Sequence, residues 1–331
     1  MTSTLISPPV LSELARHVAE GLRRSPKALS SMYFYDDEGS RLFQQIMELP
    51  EYYPTRTEFA IFRQHGAAIV AALGGVAGEG PFSLVELGAG DGTKTRLLLD
   101  ELLAAGSDFT YSPVDISAGA MSGLVAALAR ELPALHVRPV VETYADALAQ
   151  LPRQPGRKAV LFLGSNIGNF APAEQLDFLR QLAAPLGLAD RLLIGFDLRK
   201  DPRRIRAAYD DALGVTAAFN LNLLTRLNRE LGADFDLAHW QHFTDYNPLN
   251  GAVRSYLVST RAQTVYLPAL QMHVAFAAWE AIHTENSWKF SPDQIAALAA
   301  EAGLRVVATF TDAASDFADV VLAPAPEAAA H

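Results

Sequence analysis

Hydrophobic and polar positions follow two rhythms along this chain. From Leu84 onward, short apolar runs predict strands at Leu84-Val85-Glu86-Leu87, Phe109 to Asp115, His136 to Val141, Ala159 to Leu163 and Arg191 to Asp197. Helical spacing recurs between them, at Arg96-Leu97-Leu98-Leu99, Ala118 to Glu131, Ala145 to Gln150 and Glu174 to Pro185. The run 159–163 has no polar interruption, as a strand buried on both faces requires. Strict alternation of the two signals predicts a parallel sheet with helices on both faces and ligands at the carboxyl ends of its strands.

The rhythm changes after Asp197. Arg203 to Leu213 and Val215 to Leu231 carry helical spacing, and Val253 to Thr260 and Thr264 to Leu267 read as antiparallel strands. A helix at Ser291 to Ala302 and strands at Leu304 to Thr311 and Phe317 to Leu322 then return to the sheet. At the other end, an amphipathic helix runs to about Ser25, followed by the aromatic cluster Tyr33-Phe34-Tyr35 and a helix from Arg41 to Leu49. Pro50 and Pro54 predict an extended or turning Tyr52-Tyr53, ahead of a helix from Glu58 to Leu73. The expected organisation is α/β: a Rossmann-like core of residues 63–198 and 289–325, with a second, smaller α+β domain of residues 1–62 and 199–288.

Composition narrows the function classes. The chain has 331 residues, of which half are hydrophobic and 19% charged, an ordinary globular balance. Its formal charge of −10 argues against nucleic acid as a partner, because phosphates call for a basic face. Without cysteine there are no disulfides and no thiolate metal sites, and the eight histidines lack metal-ligand spacing. No signal peptide and no apolar run of membrane-spanning length are evident, which predicts a cytoplasmic protein with no membrane partner. No Gly-x-Ser-x-Gly elbow is present. The Ala/Pro-rich tail from Ala323 is expected to fray.

The strongest chemical signal is Glu86-Leu87-Gly88-Ala89-Gly90-Asp91-Gly92-Thr93-Lys94, a strand that tightens into a glycine turn before a helix. Glycines such as Gly88 and Gly90 let a ligand approach the backbone closely. Thr93 stands where a dinucleotide fingerprint has glycine, which weakens an NAD reading. Glu86, two residues before the first glycine, suits the cationic sulfonium of S-adenosylmethionine. Asp115 ends the next strand, the place of an acid that binds a ribose diol, with a helix N-cap as the competing role. Lys94 suits a carboxylate on the cofactor. Gly164-Ser165-Asn166-Ile167-Gly168-Asn169 predicts a bent loop with amides facing a ligand, or a turn with a left-handed asparagine. In an extended segment Glu285 and Ser287 share one face, suited to a polar ring; the alternative is a boundary loop with a Glu285–Lys289 ion pair.

Longer motifs in order add more. They include Tyr33-Phe34-Tyr35-Asp36, Leu49-Pro50-Glu51-Tyr52-Tyr53-Pro54-Thr55-Arg56, Gly164 to Asn169, Ala208-Tyr209-Asp210-Asp211, Gly214-Val215-Thr216-Ala217 and Glu285-Asn286-Ser287. In these, and nearly end to end, the chain resembles the histidine-specific Nα-methyltransferases of ergothioneine biosynthesis. The resemblance implies a class I S-adenosylmethionine-dependent methyltransferase fold, S-adenosylmethionine as methyl donor, and histidine methylated in three rounds to its betaine. It places Gly88, Gly90, Lys94, Asp115, Thr143 and Tyr144 on the cofactor. Asn169 and Tyr209 fall on the substrate's carboxylate and amino end, with Gly164 and Thr216 nearby. Tyr52, Glu285 and Ser287 fall on the imidazole, and Tyr35 and Phe43 beside the methylated amine; Tyr35, Asn169 and Tyr209 are the catalytic candidates. The chain departs from the family at Thr143, where an acidic residue contacts the adenine, and at Ser255, where actinobacterial members have methionine. The expectation is a monomeric, metal-free histidine Nα-methyltransferase. Its rivals are an enzyme for a tryptophan- or tyrosine-like amino acid, an NAD-dependent oxidoreductase, and a silent binding module.

Overall fold

The computed structural model describes residues 12–76, 78, 80–151 and 156–326. The end of the Ala/Pro-rich tail, beyond residue 326, lies outside the described residues. The elements begin with helix α1 (Glu13–Arg23), strand β1 (Lys27–Ala28), α2 (Asp37–Glu48), α3 (Tyr53–Ala72), β2 (Phe82–Leu87) and α4 (Thr95–Ala104). Next come β3 (Phe109–Asp115), α5 (Ala118–Glu131), β4 (His136–Val137), β5 (Val140–Val141), α6 (Tyr144–Gln150) and β6 (Arg157–Phe162). Then follow α7 (Pro172–Ala183), β7 (Arg191–Asp197), α8 (Pro202–Tyr209), α9 (Val215–Leu231), β8 (Trp240–Asn247) and β9 (Ala252–Ser259). The chain closes with β10 (Gln263–Leu267), β11 (Met272–Phe276), β12 (Ala281–Trp288), α10 (Pro292–Glu301), β13 (Leu304–Thr311) and β14 (Phe317–Pro324).

Two units result. One comprises residues through Tyr52 together with Asp201–Asn286, and the other Tyr53–Lys200 together with the residues from Ser287. We call them the aromatic unit and the sheet unit.

The sheet unit holds eight strands in the order β13-β14-β7-β6-β2-β3-β4, with β5 also paired to β3. The strands from β2 to β7 pair in parallel, and β14 runs antiparallel to both β7 and β13. Leu84, Val160, Leu161, Phe162, Leu192, Leu193 and Ile194 are fully buried, so the apolar runs of the sequence become strands covered on both faces. This is the class I methyltransferase arrangement. The strand order reverses at β2 and β6, which puts the loops after these two strands at the switch point where such sheets bind ligands.

The aromatic unit has a four-stranded sheet in the order β1-β12-β9-β8 and a separate β10–β11 hairpin. Its core joins α1, α2 and α9 through Leu14, Val18, Phe34, Ile46, Phe219, Leu223, Leu227, Trp240 and Phe276.

Several boundaries differ from the sequence expectation. Helix α3 starts at Tyr53 rather than Glu58, with Pro54 in its first turn, where the missing N–H has no intrahelical partner to lose. The two tyrosines therefore part: Tyr52 belongs to the aromatic unit and Tyr53 to the sheet unit. The division thus falls before Tyr53 instead of residue 63, because α3 packs on α4 and β14. Helix α8 stops at Tyr209, since Asp211 captures the first amides of α9, from Val215 (3.0 Å) and Thr216 (2.8 Å). Strands β8, β11 and β12 were not legible; His283-Thr284-Glu285-Asn286-Ser287 is polar at every position and becomes a strand by pairing with neighbours.

Candidate active site

The loop after β2 is shaped by Gly88 (φ 74°) and Gly90 (φ 55°). A Cβ at Gly88 would lie 2.6 Å from the Tyr144 hydroxyl, whereas one at Gly90 would meet nothing within 4 Å. The loop is therefore closed beneath Gly88 and open above Gly90, as close approach of a ligand requires. Asp115 Oδ2 accepts from Gly90 N at 3.0 Å and Oδ1 from Ser117 N at 2.8 Å. The helix cap falls to Ser117, whose Oγ accepts from Ala120 N at 3.2 Å. Asp115 is thus pinned against the glycine loop with lone pairs to spare. Ile116 and Val141, at the ends of the paired strands β3 and β5, are 51% and 49% exposed. An open backbone floor, a fixed carboxylate and exposed apolar side chains fit a nucleoside.

Thr143 caps α6, accepting from Asp146 N (3.3 Å) and donating to Asp146 Oδ2 (2.7 Å). Its hydroxyl proton is therefore committed to a carboxylate, which leaves the oxygen as an acceptor. Tyr144 packs edge-on against Phe162, with centroids 5.6 Å apart, and burial drives its hydroxyl pKa far up. Its phenol acts as a neutral strut under Gly88.

Glu86 departs from its expected role. Its side chain is buried under the loop, accepting from Thr95 Oγ1 and Tyr111 Oη, and burial raises its pKa to about 7. A strand residue two before the glycine points into the sheet layer, so Glu86 supports the loop rather than facing a ligand. Lys94 pairs with the buried Glu58. Burial works against its charge, but Glu58 outweighs burial and its pKa is raised.

In the loop after β6, Gly164 (φ 74°) donates its N–H to Glu58 Oε1 at 2.8 Å. The left-handed residue that follows is Ser165 (φ 57°), not an asparagine as the alternative reading had it, and its Oγ accepts from Asp197 N at 2.9 Å. Asn166–Asn169 then form one 3-10 turn that leaves both asparagines half-buried. Nearby, Ser287 Oγ accepts from Lys289 Nζ at 2.8 Å, and Lys289 is paired at 2.7 Å with Asp197. Asp197 also accepts from Tyr53 Oη (2.9 Å) and pairs with Lys200. Lys289 is therefore anchored on Asp197.

The aromatic unit, taken by itself, contains a string of rings. Tyr35 meets Phe43 (5.5 Å, 78°), Phe43 meets Tyr52 (6.1 Å, 79°) and Tyr52 meets Tyr209 (6.3 Å, 68°). Phe219, which the sequence did not single out as a ring of the site, packs on both Tyr35 (5.6 Å) and Phe43 (5.9 Å). Tyr35 is 42% exposed. The backbone of Tyr209 is held from behind: Thr244 Oγ1 donates to its carbonyl at 3.1 Å and lies 3.0 Å from His242 Nε2. Burial pushes the His242 pKa down to about 4 against the pull of Asp210 and Asp211. Thr216 sits in the first turn of α9, and Ser255 is buried on β9. Glu285 is half-buried on β12, two residues from Ser287 and on the same side of the strand.

Glu58, Phe219, His242 and the Asp197–Lys289 pair, which contact or back the candidate residues, were given no role from the sequence. Glu58 had a signal: it stands three and four residues before Ile61 and Phe62, on the buried face of its helix. The others depend on contacts far apart in sequence.

Residues 14–324 match the family described as histidine-specific methyltransferase, SAM-dependent. The chain belongs to this family. It is 45% identical over 304 residues to the histidine N-alpha-methyltransferase of Mycolicibacterium smegmatis, covering 92% of each chain. The histidine N-alpha-methyltransferase of Mycobacterium tuberculosis is 42% identical over the same share of both chains. A 4-dimethylallyltryptophan N-methyltransferase of Epichloe festucae var. lolii is 26% identical, covering 91% of this chain and 92% of that one. The protein is therefore an S-adenosylmethionine-dependent methyltransferase, and the dehydrogenase reading is set aside. Among the described residues, no helix is long and apolar enough to cross a membrane.

Proposed function

We propose that this methyltransferase transfers methyl groups to the α-amine of L-histidine, up to three times, giving the trimethylated betaine. The match to histidine-specific relatives across 92% of the chain carries this reading. S-adenosylmethionine supplies the methyl group. Gly88 and Gly90 take its backbone contacts, Asp115 its ribose, Thr143 and Tyr144 its adenine side, and Lys94 its carboxylate end.

Asn169 and Tyr209 hold the amino-acid end of the substrate, with Gly164 and Thr216 beside them. Glu285 accepts a ring N–H while Ser287 and Tyr52 complete the contact with the imidazole. A substrate without a polar ring would leave these groups unpaired, which is the costly form of mismatch. Tyr35 and Phe43 border the methylated amine, where their faces stabilise a growing cation without offering a nucleophile. The amine attacks in its neutral form, so the site contributes positioning and exclusion of water. We take the enzyme to act as a cytoplasmic monomer.

Incubation of the purified protein with S-adenosylmethionine and histidine should yield mono-, di- and trimethylhistidine by mass spectrometry. No methylated product between about pH 7 and 9, where α-amines deprotonate, would refute the assignment. A tryptophan-like substrate is the second reading, motivated by the small residue Ser255 and the tryptophan-directed fungal relative. A panel of free amino acids separates the two.

A further inference from the structure

Glu58 touches three parts of the sheet unit that are remote in sequence. It enters from α3 with 0% exposure. Its Oε1 accepts from Gly164 N at 2.8 Å, at the head of the loop after β6. Its Oε2 pairs with Lys94, which closes the loop after β2. Beneath it lies Gly195 of β7, where a Cβ would fall 2.7 Å from Oε1. The missing side chain at Gly195 is what admits the carboxylate. Asp319, opposite Gly195 on β14, is fully buried as well. Burial, and then the nearby Glu58, hold its carboxyl well above the usual carboxylate range.

We propose that Glu58 is a positioning residue for methyl transfer, a single carboxylate that fixes the cofactor loop and the substrate loop of the sheet unit to each other. The inference rests on the roles proposed for those two loops. In-line transfer makes their relative position matter, since a misplacement of about 1 Å costs on the order of a hundredfold in rate. A carboxylate serves two donors at once, one on each oxygen. Glutamine has one acceptor oxygen, and its NH2 group cannot accept. Glu58→Gln therefore has to release either the Gly164 amide or Lys94. Gly195→Ala attacks the same clamp by crowding, without touching the chemistry of Glu58; its Cβ also falls 3.0 Å from the Phe317 ring, a packing effect that the melting temperature reads.

Four proteins test it: wild type, Glu58→Gln, Gly195→Ala, and Ile61→Val as a control for lost packing in the same helix. The readouts are S-adenosylhomocysteine affinity by calorimetry, kcat and KM for histidine, melting temperature, and hydrogen exchange in both loops. Glu58→Gln and Gly195→Ala should each lose about tenfold or more in cofactor affinity and in kcat, with faster exchange in both 88–94 and 164–169. Ile61→Val should stay within about twofold of wild type, as expected where the transition-state contacts are intact. Variants that melt earlier but keep affinity, kcat and loop protection would reduce Glu58 to a packing role and overturn the proposal. Weaker cofactor binding with kcat and the 164–169 loop unchanged would overturn the coupling. Should the wild type bind S-adenosylhomocysteine but not methylate histidine, the substrate reading fails while hydrogen exchange still decides the clamp. Where Glu58→Gln does not fold, Gly195→Ala carries the same measurements.

Discussion

In the sheet unit Glu58, Glu86, Asp197, Lys289 and Asp319 are each at most 3% exposed, while the aromatic unit buries the neutral groups Asn220, Asn222, Thr244, Ser255, Ser259 and Thr284. Asp211, which caps α9, is the charged exception there. The sheet unit thus fixes its loops with buried ionisable groups, among them the ion pairs Glu58–Lys94 and Asp197–Lys289, since ions in a low dielectric interact strongly and tolerate little displacement. The aromatic unit offers ring faces and hydroxyl or amide contacts, which suit a ligand whose charge changes during reaction. Rigidity lies under the cofactor loop, and adaptable chemistry lies in the ring string.

The largest test of this contrast is stability. Asp197→Ala strands both Lys200 and Lys289 and should cost about 3–5 kcal/mol in urea unfolding. Asn222→Ala, which removes a neutral partner of Asp36, should cost about 1–2 kcal/mol. Equal losses would mean that the two units do not differ in kind.

The dependence on pH comes next. In the folded protein Glu86 keeps its proton up to about pH 7, against 4.5 ordinarily. The folded state then binds more protons than the unfolded one, and stability is lost as pH rises through that window. His242 titrates near 4 instead of 6.5, so the unfolded state binds more protons and stability is lost as pH falls from about 6.5 to about 4. Each effect is on the order of 3 kcal/mol, and they oppose each other where the windows overlap. Glu86→Gln should therefore leave stability that rises with pH up to about 6.5. An unchanged profile would remove Glu86 from the account.

Binding separates the units further. Glu285→Ala should lower kcat/KM for histidine by about 10- to 100-fold, with S-adenosylhomocysteine affinity within about twofold. Asp115→Asn should do the reverse, weakening S-adenosylhomocysteine by about tenfold while leaving KM for histidine near wild type. Calorimetry and initial rates check both, and a crossed pattern would undo the division of roles. The smallest effect belongs to Tyr35→Leu. Removing one exposed cation–π face should cost about 0.5–1 kcal/mol, seen as a few-fold slowing of the third methylation relative to the first in time-resolved mass spectrometry.

The chain by itself determined the sheet unit and much of its chemistry. Strands buried on both faces, such as 159–163, cannot be disguised, and a glycine turn followed by a helix carries its geometry in a few adjacent residues. Gly88, Gly90 and the expected placement of Asp115 were therefore legible, and the family motifs named Tyr52, Tyr209 and Glu285. Tertiary structure alone decided the rest. Strand β12 has no apolar alternation and exists because its neighbours pair with it. Tyr52 and Tyr53 are adjacent in sequence yet go to different units, since α3 begins between them and only packing decides which side each side chain joins. Glu86 turned inward and Lys94 turned to Glu58 for a related reason: a buried charge is settled by the partner that satisfies it, and that partner can lie anywhere in the chain.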